Sequence, residues 1–242
     1  MFGLFKKQNL VKDISWLGID IHSHILPGID DGSKDLQQSM RYINKMEELG
    51  FQKLFFTPHI FVELYPNSPE TINPVLNKVQ NKLLEENNAF PVGAAAEYMV
   101  DYNFSVDANL MCLPKNHILI EMSYLSETPN IEQVIFDLQI KGYIVILAHP
   151  ERYNFYHKSL FRYERLKEMG CLFQLNLLSV VGYYGKAVKQ AADHLLARQM
   201  YDVAGSDLHH DKHLELLEKC VKNGELYKLI GHYDFKNKLL FE

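Results

Sequence analysis

Short apolar segments alternate with longer segments of helical period along almost all of this 242-residue chain. The apolar segments predict seven strands, at residues 17–21, 53–57, 90–95, 118–121, 143–148, 171–176 and 201–204. They are short and largely apolar, as strands are when helices cover both faces of a parallel sheet. Regular alternation of strands and helices therefore predicts a parallel α/β fold, either an open sheet or a closed barrel.

The segments between these strands carry the end signals of helices. Ser33 can cap a helix whose apolar residues recur every three or four positions, and Gly50 can end that helix. Pro74 fits the first turn of a second helix that reaches about Glu86. Glycines also follow three later helical segments, at Gly142, Gly170 and Gly224.

The alternation continues without a Gly/Ser-rich linker, so we predict a single domain over residues 1–242, with 1–16 as a short N-terminal extension. This length is typical of one α/β barrel. The chain has 25 Lys+Arg against 30 Asp+Glu, a net charge of −5, and no dense basic run. We therefore expect no nucleic-acid partner. No segment approaches the roughly 18 uninterrupted apolar residues of a membrane span, so we expect none.

The cysteines favour a reducing compartment, because the three of them are far apart and form neither a C-x-x-C motif nor a disulfide framework. A cysteine-dependent phosphatase needs an arginine six positions after its nucleophile. The residues six positions after Cys112, Cys171 and Cys220 are Ile118, Leu177 and Leu226. The first residues predict a short amphipathic helix rather than a signal peptide, and the expected location is the cytoplasm.

Histidine, aspartate or glutamate residues follow nearly every predicted strand at its C-terminal end. In a β/α barrel these ends converge on one face, where active sites are built. A cluster of imidazoles and carboxylates there is electrostatically unfavourable unless cations neutralise it, so the pattern predicts a site for several metal ions. The residues concerned are His22, His24, Asp30, Asp31, His59, Glu97, Glu121, His149, Asp207 and His209.

The predicted donors are imidazole and carboxylate groups without a thiolate, which favours Mn, Fe or Zn. Their number exceeds the four ligands of one tetrahedral ion, so we expect two or three divalent ions. His22 and His24 lie two residues apart, and on an extended chain their side chains point the same way. The other histidines are expected to be structural or surface groups, with His210 the least certain because it adjoins His209: His117, His157, His194, His210, His213 and His232.

These residues, in this order, resemble the PHP (polymerase and histidinol phosphatase) superfamily. The resemblance is closest to the bacterial PHP-type protein-tyrosine phosphatases of capsule and exopolysaccharide loci. It covers about residues 18 to 210 and rests on five segments: D-I-H-S-H-I-L-P-G-I-D-D-G at 20–32, T-P-H at 57–59, G-A-A-A-E at 93–97, A-H-P-E-R-Y at 148–153 and G-S-D-L-H at 205–209. The resemblance implies a distorted (β/α)7 barrel with a trinuclear metal centre.

The same resemblance implies which residues hold each ion. The implied sets are His22, His24 and Asp207 for the first ion, Glu97 (as a bridge), Glu121 and His149 for the second, and Asp31, His59 and His209 for the third. Whether Asp30 or Asp31 is the ligand stays open at this point. The predicted catalytic residues are Arg152, Asp207 and His209.

Arg152 is the implied phosphate clamp, because its planar guanidinium matches a tetrahedral oxyanion. Relatives tend to carry a further arginine after the last D-x-H, whereas this chain has Lys212 there. Lys212 either supplies that charge or leaves the second contact absent. The aromatic-rich run 61–65 either forms a rim for a phosphotyrosyl peptide or is a packed loop.

The resemblance implies metal-dependent hydrolysis of phosphotyrosine on a bacterial tyrosine kinase that governs polysaccharide export. Two alternatives stay open. One is a small-molecule phosphatase of the histidinol-phosphate type, which would use the same metal chemistry. The other is a metal-containing domain that binds phosphotyrosine without cleaving it. A PHP-type exonuclease fits less well, because the chain is acidic and lacks a basic track.

Overall fold

The computed structural model describes residues 11–106 and 109–242. The amphipathic helix predicted for the first residues, and most of the predicted extension 1–16, lie outside the described residues. Within the described ranges the strands are β1 Ile19–Asp20, β2 Lys53–Phe56, β3 His59–Ile60, β4 Val92–Ala94, β5 Glu97–Met99, β6 His117–Glu121, β7 Ile144–Ala148, β8 Leu172–Asn176 and β9 Val203–Gly205. The α-helices are α1 Leu36–Glu48, α2 Pro69–Glu85, α3 Ile131–Ile140, α4 Leu160–Glu168, α5 Lys186–Ala197, α6 Asp211–Lys222, α7 Glu225–Ile230 and α8 Asn237–Phe241.

All strand pairs are parallel, in the orders β1-β2-β4 and β3-β5-β6-β7-β8-β9. β3 continues β2, and β5 continues β4, after a break of two residues in each. Pro58 lies in the first break and has no N–H to donate to a ladder. The two neighbours stay joined across the break, because the Ala95 N–H donates to the Phe56 carbonyl (2.9 Å) and the Glu97 N–H to the Pro58 carbonyl (3.1 Å). The strands thus occupy the seven predicted positions.

The first and last strand positions are joined just beyond β1 and β9. Ser23 and Leu208 form a parallel bridge. The His24 N–H donates to the Leu208 carbonyl (2.9 Å), and the Asp207 N–H donates to the His22 carbonyl (2.7 Å). These contacts close the sheet. They confirm the distorted (β/α)7 barrel and contradict the open-sheet alternative.

Alternation along the strands separates two apolar layers. One set of side chains fills the barrel interior and includes Phe55, Leu119, Ile146 and Val203, with Phe241 of α8 packed against them. The larger set lies between the sheet and the helices around it and is also fully buried. The interior apolar layer forms a floor beneath the strand ends that carry the predicted metal ligands.

Two predicted helix starts were wrong in detail. α1 is capped by Asp35, whose carboxylate accepts from the Gln38 N–H at 2.8 Å, whereas the backbone N–H of Ser33 donates to the His24 carbonyl. α2 begins at Pro69, so Pro74 lies inside the helix. Proline suits the first helical position because that position needs no N–H donor, and Pro69 fills it.

Glycines with positive φ follow the helices as predicted, for example Gly50 (+103°) and Gly142 (+85°). Among the described residues, the helices are too short or too polar to span a bilayer.

Candidate metal centre

The nine predicted ligand residues come together at the C-terminal ends of the strands. Their donor atoms form four overlapping groups, and within each group the atoms lie within 4.8 Å of one another. The groups are His24, Asp31, His59 and His209; His22, His24 and Asp207; His22, Glu97 and His149; and His59, Glu97 and Glu121. Each strand is short, and its last inward side chain reaches the same opening. The barrel closure described above therefore determines this convergence.

One group of donor atoms lies around His22 and His24, just after the end of β1. The Nε2 atoms of His22 and His24 lie 3.2 Å apart. Glu97 Oε2 is 3.1 Å from the first nitrogen and 3.4 Å from the second. Asp207 Oδ1 is 3.4 and 3.5 Å from the same two atoms. Two nitrogens and two oxygens thus surround one point, as the first implied set requires, with Glu97 added.

A second grouping lies nearer the solvent. Asp31 Oδ1 is 3.5 Å from His59 Nε2 and 3.5 Å from His209 Nε2. Asp31 is half exposed, whereas the two histidines are largely covered. This is the third implied set, brought together in space.

Glu121 has a different neighbour from the one that the family resemblance implies. Its Oε1 lies 3.0 Å from His59 Nδ1, while His149 Nε2 lies 3.1 Å from Glu97 Oε1. Glu97 Oε2 is also 3.2 Å from His59 Nδ1. Glu97 therefore contacts donors of every implied set, and this is the position that a bridging carboxylate would take.

The donor chemistry fits divalent cations. Glu97 Oε2 is buried and close to three imidazole nitrogens, yet no hydrogen bond of acceptable geometry reaches it. A buried carboxylate oxygen without a hydrogen bond is unfavourable in an apolar surrounding. Lone pairs that converge on a common point, rather than on each other's hydrogens, are what a coordinated cation needs.

Two of these donors have a strained backbone. His149 and Asp207 have φ values of +33° and +51°, a region that non-glycine residues seldom adopt. His149 directly follows β7, and Asp207 lies two residues after the end of β9. The turns aim both side chains back over the barrel opening, and strain of this kind is retained where the site requires it.

Partners on the far side of the His22 and His24 imidazoles orient these two rings. His22 Nδ1 lies 2.9 Å from Gln174 Oε1, and His24 Nδ1 lies 2.7 Å from Asp30 Oδ2. Asp30 also accepts from the His59 N–H at 3.1 Å. Such partners select the ring nitrogen that faces a metal. Asp30 thus supports His24 from behind, and Asp31 is the aspartate that faces the donor cluster.

The charges in the centre also call for cations. Burial lowers the pKa of the His22 imidazole, but the carboxylates of Glu97 and Asp207 outweigh burial and raise that pKa to about 9. Burial raises the pKa of the Glu97 carboxyl, yet His22 and further histidines hold this pKa well below its usual range. A protonated imidazole among ionised carboxylates occupies the electrostatic role that a divalent ion would take.

Arg152 lies beside the donor cluster and is firmly held. Its Nη1 donates to Asp207 Oδ2 at 2.7 Å. Its guanidinium carbon lies 4.6 Å from the ring centroid of Tyr124 and 4.2 Å from that of Tyr184. Asn176 Nδ2 donates to Asp207 Oδ2 (2.9 Å) and to the Tyr184 hydroxyl (3.1 Å). The cation–π contacts with these two rings restrict the orientation of the guanidinium.

A cavity of about 260 Å³ opens over this centre, and a second cleft of about 310 Å³ adjoins it. Arg152, Asp31, Asp207 and His209 line both. Among the lysines and arginines that the structure describes, Arg152 is the one in these linings, and Lys212 is not. In this structure Lys212 therefore does not supply a second cationic contact to the cavity.

Four residues around the centre were missed from the sequence: Tyr124, Gln174, Asn176 and Tyr184. Gln174 and Asn176 offered a signal, because two polar residues with a spacing of two at the end of an apolar strand point inward together. His213, expected to be structural or at the surface, is buried and accepts from the His209 N–H at 3.4 Å. The two tyrosines lie in loops and carried no such signal.

A protein-family model for capsular polysaccharide synthesis, CpsB/CapC, matches residues 18–240. The chain belongs to the CpsB/CapC family. This match and the relatives described next confirm the predicted relationship to the tyrosine phosphatases of capsule loci. The match also extends about 30 residues beyond the segments that carried the resemblance in the sequence.

Individual members of the CpsB/CapC family are similar over most of their length. The tyrosine-protein phosphatase YwqE of Bacillus subtilis is 30% identical over 198 residues, 80% of this chain and 78% of YwqE. The tyrosine-protein phosphatase CpsB of Streptococcus pneumoniae is 26% identical over 201 residues, 79% of this chain and 83% of CpsB. A solved structure, from work on YwqE of B. subtilis and CpsB of S. pneumoniae as metal-dependent tyrosine phosphatases, superposes with a TM-score of 0.76 and 28% identity over 92% of this chain and 94% of that one.

Proposed function

We propose that the chain hydrolyses phosphotyrosine in a protein substrate, using two or three divalent ions held by the nine donors. The observation that carries the proposal is the position of Asp207. Its Oδ1 faces the imidazoles of the donor cluster while its Oδ2 accepts from Arg152. One carboxylate thus joins the metal-type donors to the group that would bind phosphate. The metal-dependent tyrosine phosphatases of this family support the same function.

We assign the donors to ions as the family resemblance implies. His22, His24 and Asp207 would hold one ion, with Glu97 reaching across to the next. Asp31, His59 and His209 would hold an outer ion, and Glu97, Glu121 and His149 would hold the remaining one. Glu121 Oε1 lies 3.0 Å from His59 Nδ1, which supports neighbouring positions for these last two ions. Mixed imidazole and carboxylate donors suit Mn, and also Fe or Zn.

When bound, the ions would activate water for attack on phosphorus and neutralise charge on the phosphoryl oxygens. Arg152 would bind the phosphoryl group, held in place by Asp207 and by the two tyrosine rings. His209 donates through Nδ1 to the Asp207 carbonyl (2.9 Å), so its Nε2 faces the centre. The leaving phenolate has a pKa near 10, so departure from phosphorus needs only modest assistance.

The histidinol-phosphate alternative uses the same centre, and only the cavity wall would distinguish it. The cavity lining includes Phe61, Leu64, Tyr65, Met99 and Tyr124, and these apolar and aromatic side chains favour an aromatic ester over a small cationic one. A domain that binds phosphotyrosine without cleaving it would not need the complete donor set. The presence of all nine donors and of Arg152 supports catalysis.

The proposed substrate is a tyrosine-phosphorylated bacterial tyrosine kinase that controls capsule or exopolysaccharide synthesis. The family's place in capsular polysaccharide synthesis supports it. We propose the cytoplasm as the location. The cysteines, which the structure shows as free thiols at Cys112, Cys171 and Cys220, agree with a reducing compartment.

The decisive experiment compares phosphate release from a phosphotyrosyl peptide and from histidinol phosphate, after chelation and after Mn²⁺ is added back. We expect metal-restored turnover of the peptide and little of histidinol phosphate. A preference for histidinol phosphate would overturn the substrate assignment while keeping the centre. If the metal-loaded protein binds the peptide but hydrolyses neither compound, the result would support a domain that binds phosphotyrosine without cleaving it.

A further inference from the structure

The aromatic-rich run after β3 folds into a small hairpin. The Phe61 N–H donates to the Tyr65 carbonyl at 3.0 Å, and the Tyr65 N–H donates back to the Phe61 carbonyl at 2.7 Å. The hairpin is internally bonded, and its residues Phe61, Leu64 and Tyr65 line the cavity over the metal centre.

Contacts on both sides hold the hairpin in place. Asn67 Nδ2 donates to the Ile29 carbonyl and to the His59 carbonyl, each at 2.9 Å. The Tyr102 hydroxyl donates to the Glu63 carboxylate at the tip. These contacts tie the hairpin to the loop after β1, to a metal-ligand residue and to the loop after β5.

The hairpin gives the cavity a wall of a different character from its base. Phe61, Leu64 and Tyr65 line it together with Met99 and Tyr124, whereas the remaining lining residues are charged groups and histidines of the centre. The Tyr65 ring stacks on the His59 imidazole, with centroids 5.5 Å apart and planes 16° from parallel. The apolar wall therefore begins directly at the donor cluster.

Leu64 is the most informative residue of this wall. It is 65% exposed although it is a large apolar side chain, and it lines the cavity. A ligand that covers this apolar surface removes it from water, and this lowers the free energy of the complex.

We propose that the 61–65 hairpin is the specificity element of the site and selects aryl phosphate esters by packing against the aromatic ring next to phosphorus. This inference rests on the proposed phosphatase function and adds the residues that read the ester group. The phosphoryl group of any monoester can reach Arg152 and the ions. Only an aryl ester also covers Phe61, Leu64 and Tyr65.

The test uses phenylphosphonate and methylphosphonate, two non-hydrolysable anions with the same charged head and different substituents. Their inhibition constants are measured by competition on the metal-loaded enzyme in wild type, Leu64→Ala and a control variant, Leu84→Ala. Leu84 is a matched leucine, 69% exposed on α2 and absent from the cavity lining. Tyr102→Phe serves as a second variant that loosens the hairpin without shortening its apolar residues.

We expect Leu64→Ala to weaken phenylphosphonate roughly three- to tenfold and to leave methylphosphonate within about twofold of wild type. The KM for a phosphotyrosyl peptide should rise by a similar factor with kcat unchanged, because the lost contact is equal in the ground state and the transition state. Tyr102→Phe should raise the phenylphosphonate inhibition constant and the KM for the peptide by smaller factors. Leu84→Ala should change neither of these two quantities.

Equal weakening of both phosphonates, or no weakening of phenylphosphonate, would overturn the inference. Failure of the wild-type enzyme to hydrolyse the phosphotyrosyl peptide is a separate result, since it contradicts the proposed function. The ratio of the dissociation constants of the two phosphonates can still be measured in that case, by direct calorimetric titration of the metal-loaded protein.

Discussion

The two ends of the barrel interior are built from the same strands and have opposite chemistry. At the floor, Phe55, Leu119 and Ile146 pack against one another and against Phe241. At the opening, Glu97 and Glu121 continue the same inward-facing rows as charged groups. The floor lowers the free energy of the folded state by removing apolar surface from water. The opening gathers buried carboxylates and imidazoles and is stable only when charges of opposite sign compensate.

The comparison shows how the fold separates stability from function. Side chains two residues apart on a strand share a face, so one row can change from an apolar residue to a ligand within a single step. Leu119 and Glu121 on β6 are such a pair. The floor supports the position of each ligand, whereas the ligands contribute little packing of their own. Substitutions at the two ends should therefore have different consequences.

The largest effect is expected at the opening. Asp207→Asn keeps the shape of the side chain and removes the charge that joins the donor cluster to Arg152. We expect turnover of a phosphotyrosyl peptide to fall by about a thousandfold or more, and bound metal per chain to decrease. Phosphate release and elemental analysis measure the two quantities. Full activity in this variant, or in His149→Ala, would contradict the assignment of the centre.

The floor should respond in the opposite way. Ile146→Ala removes a fully buried side chain beneath the centre and should lower the free energy of unfolding by about 2–5 kcal/mol. Activity per folded, metal-loaded chain should stay within about twofold at low temperature. Urea unfolding followed by circular dichroism gives the stability. A loss of metal with unchanged stability would show that the two ends are not separable.

The smallest expected effect lies at the border of the opening, where the Tyr184 ring covers one face of Arg152. Tyr184→Leu should raise the inhibition constant of inorganic phosphate by about three- to tenfold, because the cation–π contact is lost. Tyr184→Phe keeps the ring and loses only the bond from Asn176 Nδ2 to the hydroxyl, so it should remain near wild type. Equal effects of the two variants would show that the hydroxyl, not the ring, positions Arg152.

Much of the fold was predictable because strand and helix periods differ and each is visible in residue types. The seven strand positions and the donor residues at their ends were predicted in this way. Helix starts were predicted less well, since α1 uses Asp35 rather than the nearby Ser33 as its cap. Both residue types are good caps, and only the path of the preceding loop determines which one reaches the exposed N–H groups.

Residue types and their spacing predicted a parallel α/β fold and the candidate donors, because hydrophobic period and donor chemistry are local properties of a chain. The closed barrel was implied only by the resemblance of the motifs to a known family. Packing in three dimensions decided the rest. It placed Asp30 behind His24 and Asp31 in front, brought Glu121 to His59, and brought the Tyr124 and Tyr184 rings to Arg152. Each of these contacts joins residues from separate loops or strand ends. Their distances depend on how the closed barrel orients its strand ends, which no local pattern in the sequence records.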